Sequence, residues 1–202
     1  MKVLCVAEKP SIARQMVDIL CTKHNGHRTS LQSFSKFNSV TQVSLSYIPN
    51  SQYRSSIDLI ITSVRGHLME LQLPQRYQTR WTDHEPSELF DCEVHSQVGE
   101  QMNDLKQTLS HHALSCQELW LWLDCDREGE AIADEVSKVC RLTNRNIVLR
   151  RATFNALTAE QLLSAMQTLH NLDYNAINAV KTRTELDLRL GCIFTRLLTI
   201  NV

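Results

Sequence analysis

The sequence predicts an α/β domain in which a mostly parallel, Rossmann-like sheet is flanked by helices. Short apolar runs alternate along the chain with segments whose apolar residues recur at helical spacing, the order expected of βαβ units. The principal runs lack the polar alternation of half-exposed strands, as expected for strands that are covered on both faces. We therefore expect a central sheet with helices packed on either side.

Two buried strands and one helix are predicted in the first third of the chain. Residues 2–7 form an apolar run, and Pro10 then suits the first position of a helix with one apolar face. A polar insertion over about 22–56 contains an imperfectly alternating strand at 40–47. Residues 58–64 form the second buried strand.

The remaining two thirds continue the same alternation after a loop at 74–92 that contains two prolines. Apolar runs and helical apolar faces then follow one another to the end of the chain. They predict strands at 118–123 and 147–149, and helices at 99–114, 128–141, 158–170 and 173–199.

Composition sets the broad class of protein. With 202 residues, 43% hydrophobic and 21% charged, the chain suits one sizeable globular domain with an appended piece. No apolar run approaches the ~18 residues of a membrane span, so we expect no membrane association. The seven cysteines form no C-x-x-C pair and no zinc spacing, which favours free thiols in a reducing compartment.

Acidic and basic residues are separated along the chain, although the net charge is only −1. No carboxylate occurs between Cys21 and Ile57 or between Arg141 and Ala159, whereas residues 124–130 contain four. This separation predicts a basic face for phosphates and an acidic hole for a cation. For the first stretch, a merely solvated basic loop is the alternative.

The strongest local signal is the run Asp124-Cys125-Asp126-Arg127-Glu128-Gly129-Glu130. In an extended segment Asp124 and Asp126 point to the same side, where their repulsion requires a cation or a shared proton. Hard oxygen ligands of this kind favour Mg²⁺. The alternative places Glu128 and Glu130 in the first turn of a helix, where acids favour the helix dipole. It does not account for two aspartates at a strand end.

A second acidic motif, Glu8-Lys9, follows the first strand. Ligands of open parallel sheets bind beyond the carboxyl ends of the strands, so Glu8, His67 and residues 124–128 are expected to meet in one crevice. There, Glu8 could act as an acid or base on a sugar hydroxyl, and Lys9 could offset charge on a phosphoryl group. Taken alone, Glu8-Lys9 would more often be an exposed ion pair than a catalytic motif.

Four segments resemble, in order, motifs of type IA DNA topoisomerases of the eukaryotic topoisomerase III kind. Three resemble the toprim motifs and the last resembles the segment that follows toprim. They are Val6-Ala7-Glu8-Lys9-Pro10-Ser11, Thr62–Leu68, Trp122–Glu130, and Glu185–Gly191 with Phe194-Thr195-Arg196. The resemblance implies a toprim domain over 1–155 that contains the 22–56 insertion. Residues 156–202 would be the truncated start of the central helical DNA-binding domain.

The resemblance also assigns roles. Glu8 would be the catalytic acid or base at the ribose 3′-oxygen and would approach the metal. Lys9 would stabilise the scissile phosphate, and Arg127 would orient the carboxylates or touch phosphate. Mg²⁺ would be held by Asp124, Asp126 and Glu128, together with Glu8.

Binding of single-stranded DNA is assigned to five residues: Ser11, His67, Arg183, Arg189 and Arg196. Arg183 is the foremost candidate for a phosphate contact. The alternative for the arginines is ion pairing with Glu185 and Asp187 on the helix surface. On either interpretation, we expect Leu186, Leu190, Ile193 and Leu197 to be core residues.

The implied activity of the complete enzyme is cleavage of one DNA strand by a tyrosine, strand passage, and Mg²⁺-assisted resealing. The family further implies a nuclear location, a RecQ-type helicase and an OB-fold partner protein. RNA stays open as a substrate. We expect no ATP site, because the chain contains no G-x-x-x-x-G-K-[ST] loop.

Three departures from the family pattern bear on these expectations. The stretch after the first helix lacks the glycine cluster often seen in the family. Arg65 occupies a position where the family usually has a small residue. The four tyrosines are Tyr47, Tyr53, Tyr77 and Tyr174, and none lies in a context resembling the family's nucleophile motif. We therefore expect the chain alone to be inactive.

Two other functions remain open from the sequence. A toprim-type metal-dependent nuclease or primase would use the same carboxylates without a tyrosine. A non-catalytic module would bind single-stranded nucleic acid without turnover.

Overall fold

A six-stranded sheet forms the centre of the protein in a computed structural model, which describes residues 1–48, 53, 55–79 and 83–200. The strand order is β2-β3-β4-β1-β7-β8, and a separate pair, β5 and β6, forms a second small sheet. The strands are β1 (Lys2–Ala7), β2 (His27–Leu31), β3 (Val40–Leu45), β4 (Ile57–Ser63), β5 (Met69–Gln72), β6 (His95–Val98), β7 (Glu118–Trp122) and β8 (Val148–Arg151).

Strand direction confirms the predicted fold class. β1 runs parallel to β4 and β7, and β7 runs parallel to β8 at one edge, so four of the six strands are parallel. β3 is antiparallel to β4, and β2 is antiparallel to β3 at the edge. The fold is therefore α/β with a mostly parallel sheet, consistent with a toprim fold.

Helices cover both faces of this sheet. The α-helices of the described residues are α1 (Pro10–Lys23), α2 (Gln75–Gln78), α3 (Asn103–Ala113), α4 (Arg127–Thr143), α5 (Ala159–Gln167) and α6 (Tyr174–Ile200). α3 and α4 pack on one face, and α1 and α5 pack on the other. Residues 3–7 of β1 are completely buried between the two layers, which explains their continuous apolar character.

Segment 74–92 differs from the predicted loop. It contains α2 and a 3₁₀ helix at Pro86–Phe90, and it builds a small core of its own. That core includes Leu73, Tyr77 and Leu89 together with Ile193 of α6. Residues 80–82 of the predicted loop lie outside the described part of the chain.

The predicted core face of α6 is largely wrong. Leu186, Leu190 and Leu197 are 40–51% exposed, and only Ile193 of the four is buried. The reason is the rotation of the helix. α6 turns Leu188, Cys192 and Arg196, rather than the leucine row, toward segment 73–92. Among the helices described, none combines the length and apolar composition needed to cross a bilayer.

Candidate active site

Three central strands end at the same edge of the sheet. The register pairs Ala7 at the end of β1 with Ser63 of β4 and with Trp122 of β7. Beyond the strands, the Glu8 N–H donates to the Trp122 carbonyl (3.1 Å), and the Val64 N–H donates to the Ala7 carbonyl (2.8 Å). Strand pairing therefore brings three distant segments together: Glu8-Lys9, the 64–67 loop and the acidic run.

Glu8 and Asp124 lie side by side at this edge. The Asp124 backbone N–H donates to Glu8 Oε2 at 2.8 Å. Only 15% of the Glu8 side-chain surface is exposed, against 47% for Asp124. Burial raises the pKa of Glu8, and the neighbouring Asp124 carboxyl raises this pKa further.

Lys9 serves both carboxylates. Its Nζ lies 3.4 Å from Glu8 Oε1 and 3.7 Å from Asp124 Oδ2. The pKa of Lys9 is raised, first by Glu8 and then by Asp124. Two acids thus share one ammonium group, which lies on the solvent side where it can also reach a phosphate.

The start of α4 packs against the backbone of Asp124. Asp126 caps the helix, and its Oδ1 accepts the Gly129 N–H at 2.7 Å. A Cβ on Gly129 would collide with the Asp124 carbonyl oxygen, so only glycine allows this approach. Arg127 is exposed in the first turn of α4.

A buried ion pair fixes the other side of Asp124, and the sequence reasoning missed it. The Arg151 side chain is fully buried, with Nε 2.7 Å from Glu130 Oε1. Its Nη2 donates to the Asp124 carbonyl at 2.6 Å, and Nη1 donates to the carbonyls of Leu121 and Ala152. The only sequence signal was an arginine at the end of an apolar strand, where a charge needs a partner.

Glu128 belongs to a second cluster that joins α4 to α6. Arg183 Nη2 lies 2.6 Å from Glu128 Oε1, and His67 Nε2 lies 3.2 Å from Glu128 Oε2. His67 Nδ1 contacts Glu135 at 2.8 Å, and the second Glu135 oxygen accepts the Leu68 N–H. The hydrogen bond to Glu135 is the largest cause of a raised His67 pKa, and partial burial opposes it.

The same cluster lines a groove between α4, α6 and the β5–β6 pair. The cavity has a volume of about 730 Å³. Its apolar lining includes Met69 and Leu71. Its charged lining combines four basic residues with five carboxylates: His67, Lys138, Lys181, Arg183, Glu70, Glu128, Glu135, Glu185 and Asp187. The basic side chains and the apolar contacts suit an unpaired nucleic-acid strand, whereas the carboxylates oppose it unless they are paired, as Glu128 and Glu135 are.

The acidic edge provides two neighbouring carboxylates for a metal rather than a complete set of protein ligands. Within residues 1–48, 53, 55–79 and 83–200, no three His, Cys, Asp or Glu side chains are arranged to hold a metal by themselves. Mg²⁺ typically takes one or two carboxylates and completes its shell with waters and substrate phosphate. Glu8 and Asp124 fit that pattern, whereas Glu128 would first have to exchange its partners.

The other predicted DNA-binding residues have different surroundings. Arg189 is held by Glu185 and by the Leu89 carbonyl, which Nη1 reaches at 2.6 Å. Arg196 is buried and donates to the Tyr77 carbonyl. Both arginines connect α6 to segment 73–92, and Arg189 makes the ion pair with Glu185 that the alternative interpretation expects. Ser11 is exposed in the first turn of α1.

The fold and the site define an α/β protein with an acidic centre at the carboxyl edge of its sheet. The Toprim domain model matches residues 3–157, and the chain belongs to the Toprim domain family. Toprim domains are typically metal-binding.

Curated relatives carry the topoisomerase name. The chain is 40% identical over 197 residues to DNA topoisomerase 3-alpha of Arabidopsis thaliana, covering 98% of this chain and 20% of that protein. It is 39% identical to DNA topoisomerase 3 of Schizosaccharomyces pombe, covering 100% of this chain and 31% of that protein. It is 35% identical to DNA topoisomerase 3-alpha of Homo sapiens, covering 100% of this chain and 19% of that protein. The predicted resemblance is confirmed, and the chain spans about a fifth to a third of these relatives.

Proposed function

We propose that this chain is the toprim part of a type IA DNA topoisomerase, where it binds Mg²⁺ and single-stranded DNA during cleavage and resealing of one strand. The pairing of Glu8 with Asp124 beside Lys9 carries the proposal. Three charged groups from two distant segments meet there, and one of them has a pKa raised by burial, an arrangement that favours a reaction centre.

The raised pKa of Glu8 suits proton transfer at a sugar oxygen. A carboxyl that holds its proton more tightly than usual can donate it to the 3′-oxygen that leaves during cleavage, and can recover it on resealing. Lys9, within 4 Å of both acids, is placed to offset charge on the scissile phosphate. Glu8, Asp124, Asp126 and Glu128 would hold Mg²⁺, which would supply charge neutralisation there.

The groove of His67 and Arg183 is the proposed path of the DNA strand into this centre. Both side chains are accessible, and both are positively charged or readily protonated. The exposed side chains of Arg127 and Ser11, in the first turns of α4 and α1, remain candidates for phosphate contacts at the acidic edge. In the whole protein we further propose a nuclear location, a RecQ-type helicase partner and an OB-fold partner.

We expect the 202-residue chain alone not to relax DNA. The Tyr53 hydroxyl donates to Glu118 at the amino end of β7, on the edge opposite Asp124. The Tyr77 hydroxyl donates to Glu88 in the small core of segment 73–92. Tyr47 and Tyr174 are exposed on the surface.

Calorimetric Mg²⁺ titration of the purified chain tests the proposed metal site. Asp124→Asn should weaken Mg²⁺ binding at least about tenfold, the usual size of an effect at or next to a metal ligand. Asp91→Asn is the matched control, since Asp91 is exposed at the end of the 3₁₀ helix and should leave the affinity unchanged. Equal Mg²⁺ affinities for wild type and Asp124→Asn would refute the site.

Incubation with supercoiled and single-stranded DNA separates the possible activities. We expect the protein to bind single-stranded DNA in the presence of Mg²⁺ and to leave supercoiled DNA unrelaxed. Relaxation would implicate one of the four tyrosines. Nicking without a covalent protein–DNA adduct would instead indicate a metal-dependent nuclease.

A further inference from the structure

Phe37 and Arg65 form an exposed stack outside the acidic centre. The Arg65 Cζ lies 4.1 Å from the centroid of the Phe37 ring. Phe37 is 63% exposed, one of several large apolar side chains on the surface, and Arg65 is exposed beside it. Because both side chains are exposed, the ring and the guanidinium group are accessible to an external ligand.

The stack lies at the same edge of the sheet as Glu8 and Asp124. Arg65 follows the end of β4, whose last residue, Ser63, is paired with Ala7 immediately before Glu8. Phe37 belongs to the 32–39 loop, which contacts the end of β4 at two points. Asn38 Nδ2 donates to the Ser63 carbonyl (2.6 Å), and Thr62 Oγ1 donates to the Ser39 carbonyl (3.0 Å).

Internal hydrogen bonds fix the loop that presents Phe37. Asn38 is buried, and its carbonyl accepts Ser33 Oγ at 2.6 Å. Ser35 Oγ donates to Asn38 Oδ1 and accepts the Phe37 N–H. Because these bonds hold the Phe37 backbone in place, little ordering cost would remain when a ligand binds the ring.

The chemistry of the stack fits a nucleobase. Unpaired bases stack on aromatic rings and on the planes of arginine guanidinium groups, and this recognition tolerates any base. Lys36, exposed next to Phe37, can meet the phosphate of the stacked nucleotide. The chain from Cys21 to Ile57 contains no carboxylate to repel it.

We propose that Phe37 and Arg65 form a platform that stacks one unpaired base of a single-stranded DNA, on the β4 side of the acidic centre and apart from the His67–Arg183 groove. This inference rests on the proposed function, because it assumes that single-stranded DNA reaches this edge. The platform would give the strand a second fixed point, so that a phosphate between the two points is held near Glu8.

Fluorescence anisotropy with a short labelled oligonucleotide tests the platform on the 202-residue chain. Phe37→Ala should weaken binding about tenfold, within the range for loss of one stacked base, and Phe37→Trp should restore it. Phe90→Ala is the matched control, because Phe90 is 53% exposed on the 3₁₀ helix and should have no effect. Arg65→Gln should weaken binding less than Phe37→Ala does.

A base-specific readout separates stacking from a general loss of affinity. We would place 2-aminopurine at each position of the oligonucleotide in turn and record its fluorescence. Wild type and Phe37→Trp should change the emission at one position, and Phe37→Ala should abolish that change while leaving Mg²⁺ affinity as in wild type.

The possible failures can be told apart. If wild type binds the oligonucleotide and Phe37→Ala binds it equally well with the same fluorescence, the platform is wrong and the proposed function stands. If wild type binds Mg²⁺ but no single-stranded DNA, both proposals of DNA binding are overturned.

Discussion

Arg183 of α6 lies 2.6 Å from Glu128 of α4, and this ion pair joins the groove to the acidic edge. His67 contacts the other Glu128 oxygen at 3.2 Å, so both carboxylate oxygens already face basic groups. A phosphate that takes Arg183 would leave Glu128 freer to approach a metal. Because linkage is reciprocal, DNA binding and metal binding at this edge should strengthen each other.

Replacing Arg183 with Gln should lower the affinity for a single-stranded oligonucleotide about tenfold. It should also reduce by about one the salt slope, which is the steepness with which the logarithm of affinity falls with the logarithm of salt concentration. The reason is the loss of one phosphate contact in the groove. Anisotropy titrations over a salt series give both quantities. Arg145→Gln is the control, because Arg145 is exposed on the turn that enters β8, at the opposite edge of the sheet. An unchanged salt slope in Arg183→Gln would exclude the contact.

The same variant should bind Mg²⁺ more tightly than wild type when no DNA is present. Glu128 loses a competing cation in Arg183→Gln and becomes available to the ion. Calorimetry with and without oligonucleotide measures this coupling directly. Weaker Mg²⁺ binding by Arg183→Gln without DNA would show that the ion pair supports the metal site rather than competing with it.

Glu8→Gln should make the protein more stable at neutral pH. Burial and Asp124 raise the folded-state pKa of Glu8, so its contribution favours folding below the ordinary pKa of about 4.3 and is lost as the pH rises through the raised value. The amide of Gln carries no charge to bury and can still accept the Asp124 N–H. Urea unfolding should therefore show the gain at neutral pH and a smaller one near about pH 4.

Added Mg²⁺ should make wild type more stable than Glu8→Gln. The ion stabilises whichever form binds it, and wild type retains both carboxylates. If Mg²⁺ stabilised Glu8→Gln as much as wild type, Glu8 would not belong to the metal site.

His67 should stabilise the fold more in mild acid than in base. Its pKa is raised, mainly by Glu135, so the stabilisation is complete below the ordinary pKa of about 6.5 and disappears as the pH rises through the raised value. His67→Gln should therefore lose up to about 1 kcal/mol near pH 6, since the site is partly exposed, and less near about pH 9. Chemical unfolding at both values measures the difference. An equal loss at both would show that protonation of His67 does not contribute.

The buried strands and the acidic edge could be predicted from local sequence, because each is determined by residues that are consecutive in the chain. β1, β4 and β7 are apolar runs, and the acids that follow them had to appear at the carboxyl edge once the strands were parallel. β2 was missed because its sequence, His-Arg-Thr-Ser-Leu, is polar and its side chains are mostly exposed at the sheet edge.

The partners of charged residues could not be predicted, because they are decided by tertiary packing. Nothing local indicates that Arg151 would reach the Asp124 carbonyl or that Arg189 would reach the Leu89 carbonyl. The arginines of α6 look alike in sequence. Only the rotation of the helix separates accessible Arg183 from buried Arg196.

Gly129 and Gly191 give a matched pair of substitutions in two helices. An Ala at 129 would drive its Cβ into the Asp124 carbonyl oxygen, whereas a Cβ at 191 meets nothing within 4 Å. Gly129→Ala should therefore cost about 1–3 kcal/mol of unfolding free energy, the range for forced overpacking. Gly191→Ala should gain up to about 1 kcal/mol from helix propensity. Thermal unfolding measures both changes.

Metal binding distinguishes a local effect of Gly129→Ala from general instability. The displaced Asp124 backbone should carry its carboxylate away from Glu8, so the folded variant should bind Mg²⁺ more weakly at a temperature well below its unfolding transition. Gly191→Ala should keep wild-type Mg²⁺ affinity. Gly129→Ala could instead lose stability but bind Mg²⁺ as wild type does. The close approach of α4 to the Asp124 backbone would then contribute to folding alone, and the position of the Asp124 carboxylate would not depend on it.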